Sequence, residues 1–147
     1  MDIENLLKLL KEHNVEFVIV GAMAFPIHGY SRTTLDVDVF IKPTEENAEK
    51  TKQALKAFGY DTTDISVDDL LSKKLLIREY LVETDIHPFV KGITFDEVWQ
   101  HKVESKIGET VSNFASLDDL IKMKEAAGRD KDKEDLKTLR KLKKDKK

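Results

Sequence analysis

The stretch VIVGAMAFPIHGYSRTTLDVDVFIKP, residues 18–43, sets two acidic residues, Asp36 and Asp38, inside the apolar run LDVDVFI. Side chains two apart in an extended chain share a face, so Asp36 and Asp38 stand together while Val37, Val39 and Ile41 face the other way. Crowding two carboxylates into a partly buried place raises the pKa of at least one of them unless a cation sits between. An oxygen-only pair suits a hard divalent ion, Mg²⁺ or Mn²⁺, and such ions in turn bind phosphates. The same alternation also describes an edge strand with one polar face.

The flanking sequence bears on that choice. Upstream, EFVIV (16–20) reads as a buried strand closed by Gly21, with a short helix over about 22–28. A strand that turns into a helix through small residues presents backbone N–H groups to an anion, and Gly21 permits close approach. Pro26 fits that helix only in its first turn or at a kink. Downstream, YLVETDIHPF (80–89) supplies Asp85 in a second strand-like run, with Glu83 and His87 on its face by alternation. A third carboxylate beside the first two would complete a two-metal site, which clamps the attacking and leaving oxygens in phosphoryl or nucleotidyl transfer.

The rest of the chain alternates helices and strands without a repeat. Ile3, Leu6, Leu7 and Leu10 form one stripe of an N-terminal helix that Asp2 can cap and Asn14 can end. Residues 44–58 read as a helix with Ala48, Thr51, Leu55 and Phe58 inward and Gly59 as its stop. SVDDLLSKK reads as a short helix, 74–89 as one long or two successive strands, FDEVWQHK as a turn or two of helix, and 101–114 as a hairpin turning near Gly108. Ser116 and Asp119 make a capping pair for a helix ended by Gly128, with Leu117, Leu120, Ile121 and Ala127 inward, and a last helix starts near Asp130. The expectation is a single α/β (α+β) domain over 1–147: a small mixed β-sheet flanked by helices, with helices from about 116 onward.

Composition sets the bounds. A chain of 147 residues buries a real core as one domain. The absence of cysteine excludes disulfides and thiolate metal sites. The longest apolar run, FVIVGAMAFPI, is too short to span a bilayer, and the charged first residues do not read as a signal peptide, so a soluble, cytoplasmic protein without membrane contact is expected. Residues 129–147 hold ten Lys or Arg against five Asp or Glu, a balance of +5 that leaves −8 for the rest. Such a basic end can meet nucleic acid, nucleotide phosphates or the protein's own acidic body, or be a solvated last helix.

Taken together, GAMAFPIHGYSRTTLDVDVFI resembles the signature of the DNA polymerase beta-like nucleotidyltransferase superfamily, a small-residue turn and helix followed by an Asp-x-Asp strand. His28, Gly29, Arg32, Thr34, Asp36 and Asp38 match in order the minimal nucleotidyltransferases, including the toxin-antitoxin and abortive-infection branch, and SLDDLIKMKEAAGRDKDKEDL resembles the helical C-terminal portion of that group. The resemblance implies the nucleotidyltransferase fold, with Asp36, Asp38 and Asp85 as catalytic and metal-ligating carboxylates for Mg²⁺ or Mn²⁺. It implies Asp85 as base toward the acceptor hydroxyl, and Gly21 with the Ala22 amide as holders of a triphosphate. Ala22 departs from the Gly or Ser of the family, which bears on triphosphate affinity and not on fold.

Other residues carry two readings. Arg32 binds phosphate or braces the loop before Asp36; Lys122, Lys124 and Arg129 meet a nucleotide or are surface charge. His28 orients a phosphate or bonds to backbone, and His87 reaches the metal site or stays clear of an ion that prefers oxygen. Phe95 and Trp99 are core residues or stack on adenine, size and rarity favouring core. Two function classes follow: an enzyme transferring a nucleoside monophosphate from a nucleoside triphosphate to a hydroxyl of a small molecule, protein or RNA with release of pyrophosphate, or a non-catalytic, nucleotide-binding or regulatory half of a two-protein system with a small helical partner.

Overall fold

The computed structural model describes residues 2–32, 34, 36–78 and 82–146. In chain order its elements are α1 (Asp2–Glu12), β1 (Phe17–Val20), two 3-10 turns (Gly21–Ala24, Pro26–His28), β2 (Asp36–Ile41), α2 (Glu45–Phe58), α3 (Val67–Ser72), β3 (Leu75–Ile77), β4 (Glu83–His87), α4 (Phe95–His101), β5 (Val103–Ile107), β6 (Thr110–Phe114), α5 (Leu117–Ala127), a third 3-10 turn (Asp130–Asp132) and α6 (Lys133–Asp145). The strands form one six-stranded mixed sheet in the order β3-β4-β2-β1-β6-β5. Parallel pairs β2–β4 and β1–β6 alternate with antiparallel pairs β3–β4, β1–β2 and β5–β6. This is the mixed α/β architecture with a helical C-terminal portion that the pattern of elements predicts.

The periodicities explain the layers. On β2, Val37, Val39 and Ile41 are fully buried, whereas Asp36 and Asp38 are half-exposed on the opposite face. The valine face lies under α1 and α2: Leu6, Leu7 and Leu10 of α1 are buried, and Tyr60, just past α2, donates its hydroxyl to the carbonyl of Val82 and lies 2.8 Å from Thr84 Oγ1. The aspartate face also receives a helix: Phe95 of α4 meets Phe40 edge-on, ring centroids 5.3 Å apart. Helices thus cover both faces. Among the described residues no helix is long and apolar enough to cross a membrane.

Two local outcomes differ from the sequence expectation, and one open alternative is decided. The segment after Gly21 is two 3-10 turns and not one helix, because Pro26 has no N–H to carry an α-helical ladder through it and instead starts the second turn. Of the two readings of the run over 74–89, one long strand or two successive ones, the structure has two, β3 and β4, with residues 79–81 outside the described ones. Ser116 caps α5 by accepting from the Asp119 N–H at 3.2 Å, but the Asp119 carboxylate does not return the bond; it lies 3.0 Å from His101 Nδ1.

One buried polar side chain ties the layers together. Asn47 on α2 accepts from the Glu16 N–H at 2.8 Å and donates to the carbonyls of Glu16 and Lys42, each at 3.0 Å, so it satisfies backbone groups at the start of β1 and just past the end of β2. Removing it orphans the Glu16 N–H, while the two carbonyls keep one donor each, the Lys42 N–H on Glu16 at 3.1 Å and the Thr44 N–H on Lys42 at 2.9 Å. Asn47→Ala is therefore expected to lower the unfolding free energy by about 1–3 kcal/mol, the cost of leaving one buried donor unpaired. Chemical denaturation reads this directly, and a loss below about 0.5 kcal/mol, the range of an ordinary surface substitution, would contradict it.

Candidate active site

The site is built by strand register. In the parallel pair β2–β4, Asp36 stands opposite Glu83, Asp38 opposite Asp85 and Phe40 opposite His87, which collects four carboxylates on one face of two neighbouring strands. On the other side of β2, Val20 of β1 pairs with Asp38, so the chain enters the Gly21 turn directly beside that carboxylate. Gly21 has φ +70°, and a Cβ there would overlap Asp38 Oδ2. Glycine is required at this place twice over, by the left-handed backbone and by the packing of Asp38 on its Cα.

Ligand atoms of Asp38, Asp85 and His87 lie within 4.8 Å of one another. Asp85 is 5% exposed, and His87 Nε2 sits 2.8 Å from Asp38 Oδ1. Asp36 lines the same cleft but belongs to a second pair: Glu83 is pushed above the ordinary carboxylate range first by its hydrogen bond to Asp36, then by burial and by the Asp36 charge. Asp36 Oδ1 is a buried acceptor without a hydrogen-bond partner among the described residues. Cationic side chains balance the cluster. Arg78 Nη1 donates to Asp85 Oδ1, and Arg78 Nε lies 3.8 Å from Glu83; Lys74 Nζ is 3.9 Å from Asp85. An oxygen-rich donor set with one imidazole, an orphaned acceptor beside it and side-chain cations standing against the carboxylates all fit a divalent metal ion.

These residues form one end of a cleft of about 550 Å³, which Gly21, Ala22, Arg32, Lys124 and Arg129 also line. Three of the cations named from sequence, Arg32, Lys124 and Arg129, converge there through two buried aspartates at the start of α6. Asp132 accepts from Lys124 at 2.9 Å and from Arg129 Nε and Nη2 at 2.7 and 3.1 Å. Asp135 lies 3.0 Å from Arg32 and 3.3 Å from Lys124 and accepts from the Tyr30 hydroxyl at 2.8 Å. Lys122 is not brought to them; it is exposed on α5 and does not line the cleft. The basic C-terminal segment in part meets the protein's own body, Arg140 pairing with Glu125 at 2.9 Å and Lys143 with Asp118 at 3.0 Å.

The remaining candidates have structural roles. His28 is buried and donates from Nε2 to the Ala115 carbonyl at 2.8 Å; burial, only partly offset by that bond, holds its pKa below the ordinary histidine value. Phe95 and Trp99 stack on each other at 5.6 Å, and Lys102 Nζ lies 4.0 Å over the Trp99 ring, so neither is a free platform for a base. Sequence reading missed Asp132 and Asp135. Their signal was there: with Leu139, which is fully buried, they recur at helical spacing on the inward stripe of a segment otherwise read as surface charge.

The family model described as nucleotidyl transferase of unknown function (DUF2204) matches residues 1–147, and the chain belongs to that family. No curated protein matches it.

The Asp132 cluster gives an acid-stability prediction. Burial alone would raise its carboxyl, but Arg129 and Lys124 outweigh burial and hold it at about 2, against 3.8 in an unfolded chain. A depressed carboxylate contributes stability that is complete above the unfolded pKa and lost as pH falls through the folded one. Melting curves of the wild type should therefore lose stability as pH falls from 3.8 toward about 2, and Asp132→Asn should be less stable at neutral pH and flatter across that window. Equal slopes would refute the assignment.

Proposed function

We propose that the protein is a divalent-metal-dependent nucleotidyltransferase that moves a nucleoside monophosphate from a nucleoside triphosphate to a hydroxyl acceptor. The observation that carries this reading is the juxtaposition of Asp38, Asp85 and His87 within 4.8 Å, beside a glycine turn that only a residue without a side chain allows. Asp36, Asp38 and Asp85, with His87, hold Mg²⁺ or Mn²⁺; the imidazole in the set favours Mn²⁺, the softer of the two. A bound divalent ion supplies Lewis acidity at the α-phosphoryl group and charge neutralisation for the departing pyrophosphate.

The chain's own residues perform the rest. The amides of Gly21 and Ala22 and the cations Arg32, Lys124 and Arg129 bind the triphosphate, the cations being held in place by Asp132 and Asp135 until phosphate oxygens share them. A single 3-10 turn carries little macrodipole, so the anion contact at Gly21 and Ala22 is a local one of amide to oxygen. Asp85 accepts the proton of the acceptor hydroxyl. The hydroxyl oxygen forms the new bond to the α-phosphorus, the bond from that phosphorus to the α–β bridging oxygen breaks, and pyrophosphate leaves with the electron pair. The acceptor is a small molecule, a protein side chain or an RNA end.

The test is transfer of label. Purified protein, Mg²⁺ or Mn²⁺, each of the four α-labelled nucleoside triphosphates and a cell lysate as acceptor pool should give one labelled product class and pyrophosphate. Asp38→Asn and Asp85→Asn should each lower the rate by about a hundredfold or more, the scale of removing one preorganised charge from a reacting centre. The double variant should lose little beyond either single one, because the carboxylates act as a unit. Bound nucleotide with no labelled acceptor, and a partner protein retained equally by Asp85→Asn, would replace the enzyme by a regulatory nucleotide-binding component.

A further inference from the structure

Among the large apolar side chains of the described residues, Phe89 is the most exposed, at 65%. It follows β4 by two residues, lies two beyond His87, and lines the same cleft as Asp38, Asp85 and His87. The cleft surface it shares includes Val90, Leu120 and Met123, an apolar wall against a polar, charged end. The loop that carries it is pinned. Pro88 restricts its entry, Val90 and Ile93 form a β-bridge just beyond it, and Gly92, at φ +90°, packs so closely on α5 that a Cβ there would lie 2.5 Å from the Cβ of Ala126. A phenylalanine held open on a rigid loop is a preorganised flat surface, and its exposure forgoes burial that a packed ring would gain.

We propose that Phe89 is the platform on which the nucleobase of the bound nucleoside triphosphate stacks. The inference rests on the nucleotidyl-transfer reading and adds the base subsite to it. Phe89 lies two residues beyond His87, past a bend at Pro88, so their Cα atoms are at most about 7 Å apart, comparable with the offset of a base from its α-phosphate across the ribose. With the triphosphate at the carboxylate and glycine-turn end, the base comes within reach of the Phe89 ring, which lines the same cleft. Stacking reads area and not hydrogen-bonding edges, so purine nucleotides bind more tightly than pyrimidine ones.

The experiment is calorimetric titration of the full chain, in the presence of Mg²⁺, with the non-hydrolysable analogues of ATP and UTP and with inorganic tripolyphosphate. The wild type binds the ATP analogue more tightly than the UTP analogue. Phe89→Ala weakens the ATP analogue by about tenfold, within the range for one base on an aromatic ring, narrows the purine preference and leaves tripolyphosphate unchanged; Phe89→Tyr restores both affinity and preference. If the wild type binds the ATP analogue and Phe89→Ala binds it equally well, the base subsite is wrong while the transfer reading stands. Equal weakening of tripolyphosphate by Phe89→Ala also overturns the proposal, since the ring would then be propping the phosphate end. A wild type that binds neither nucleotide analogue nor tripolyphosphate overturns this inference and the transfer reading together.

Discussion

The parallel pairing of β2 with β4 is the constraint on which the rest depends. Its register places Asp36 against Glu83 and Asp38 against Asp85, and side chains directly opposite one another on neighbouring strands stand about 5 Å apart. Like charges at that spacing oppose the fold unless protons or cations intervene. The protein uses both remedies. The Glu83 carboxyl is pushed up by its hydrogen bond to Asp36, by burial and by the Asp36 charge, while Arg78 and Lys74 stand against Asp85 and His87 lies 2.8 Å from Asp38. The hydrophobic face of β2 is what keeps the register fixed: a slip of one residue would bring Val37 and Val39 into the cleft and drive the carboxylates into the core.

A second charge system faces the first across the cleft, and its sign logic is reversed. Here two buried carboxylates, Asp132 and Asp135, gather Arg32, Lys124 and Arg129 from three separate segments. Buried ion pairs of this kind contribute little net stability relative to apolar packing. Their value is positional: they fix cations at the cleft wall and fasten α6 to the loop between β1 and β2. The cleft therefore has an acidic end, where we propose the metal ion, and a basic wall, where we propose the phosphates, and the glycine turn lines it as well.

Much of this was legible in the sequence, for reasons of period and spacing. Asp36 and Asp38 stood out because two carboxylates at a two-residue spacing inside an apolar run share one face, where their repulsion calls for a cation. Asp85 stood out because a second strand-like run repeats the pattern. The sheet faces, the helix stops at Gly59 and Gly128 and the hairpin at Gly108 follow from local rules. What local rules do not supply is register. That His87 and not Asp36 completes the closest ligand cluster depends on how β4 aligns with β2, a tertiary fact. Arg78 as the partner of Asp85 needs β3 to pair antiparallel with β4, and the sequence left open whether that run is one strand or two. The expected helix after Gly21 shortened to two turns at Pro26, and Asp132 and Asp135 were hidden by the ordinary look of a charged helix.

The most direct test of the account is the location of a divalent ion. Crystals grown with Mn²⁺ and measured for its anomalous scattering should show a peak between the carboxylates of Asp38 and Asp85, with His87 in reach and the Arg78 guanidinium withdrawn from Asp85. A structure saturated with Mn²⁺ that shows no peak there, or a peak elsewhere with Arg78 still bonded to Asp85, would contradict the claim that this strand pair is a metal site.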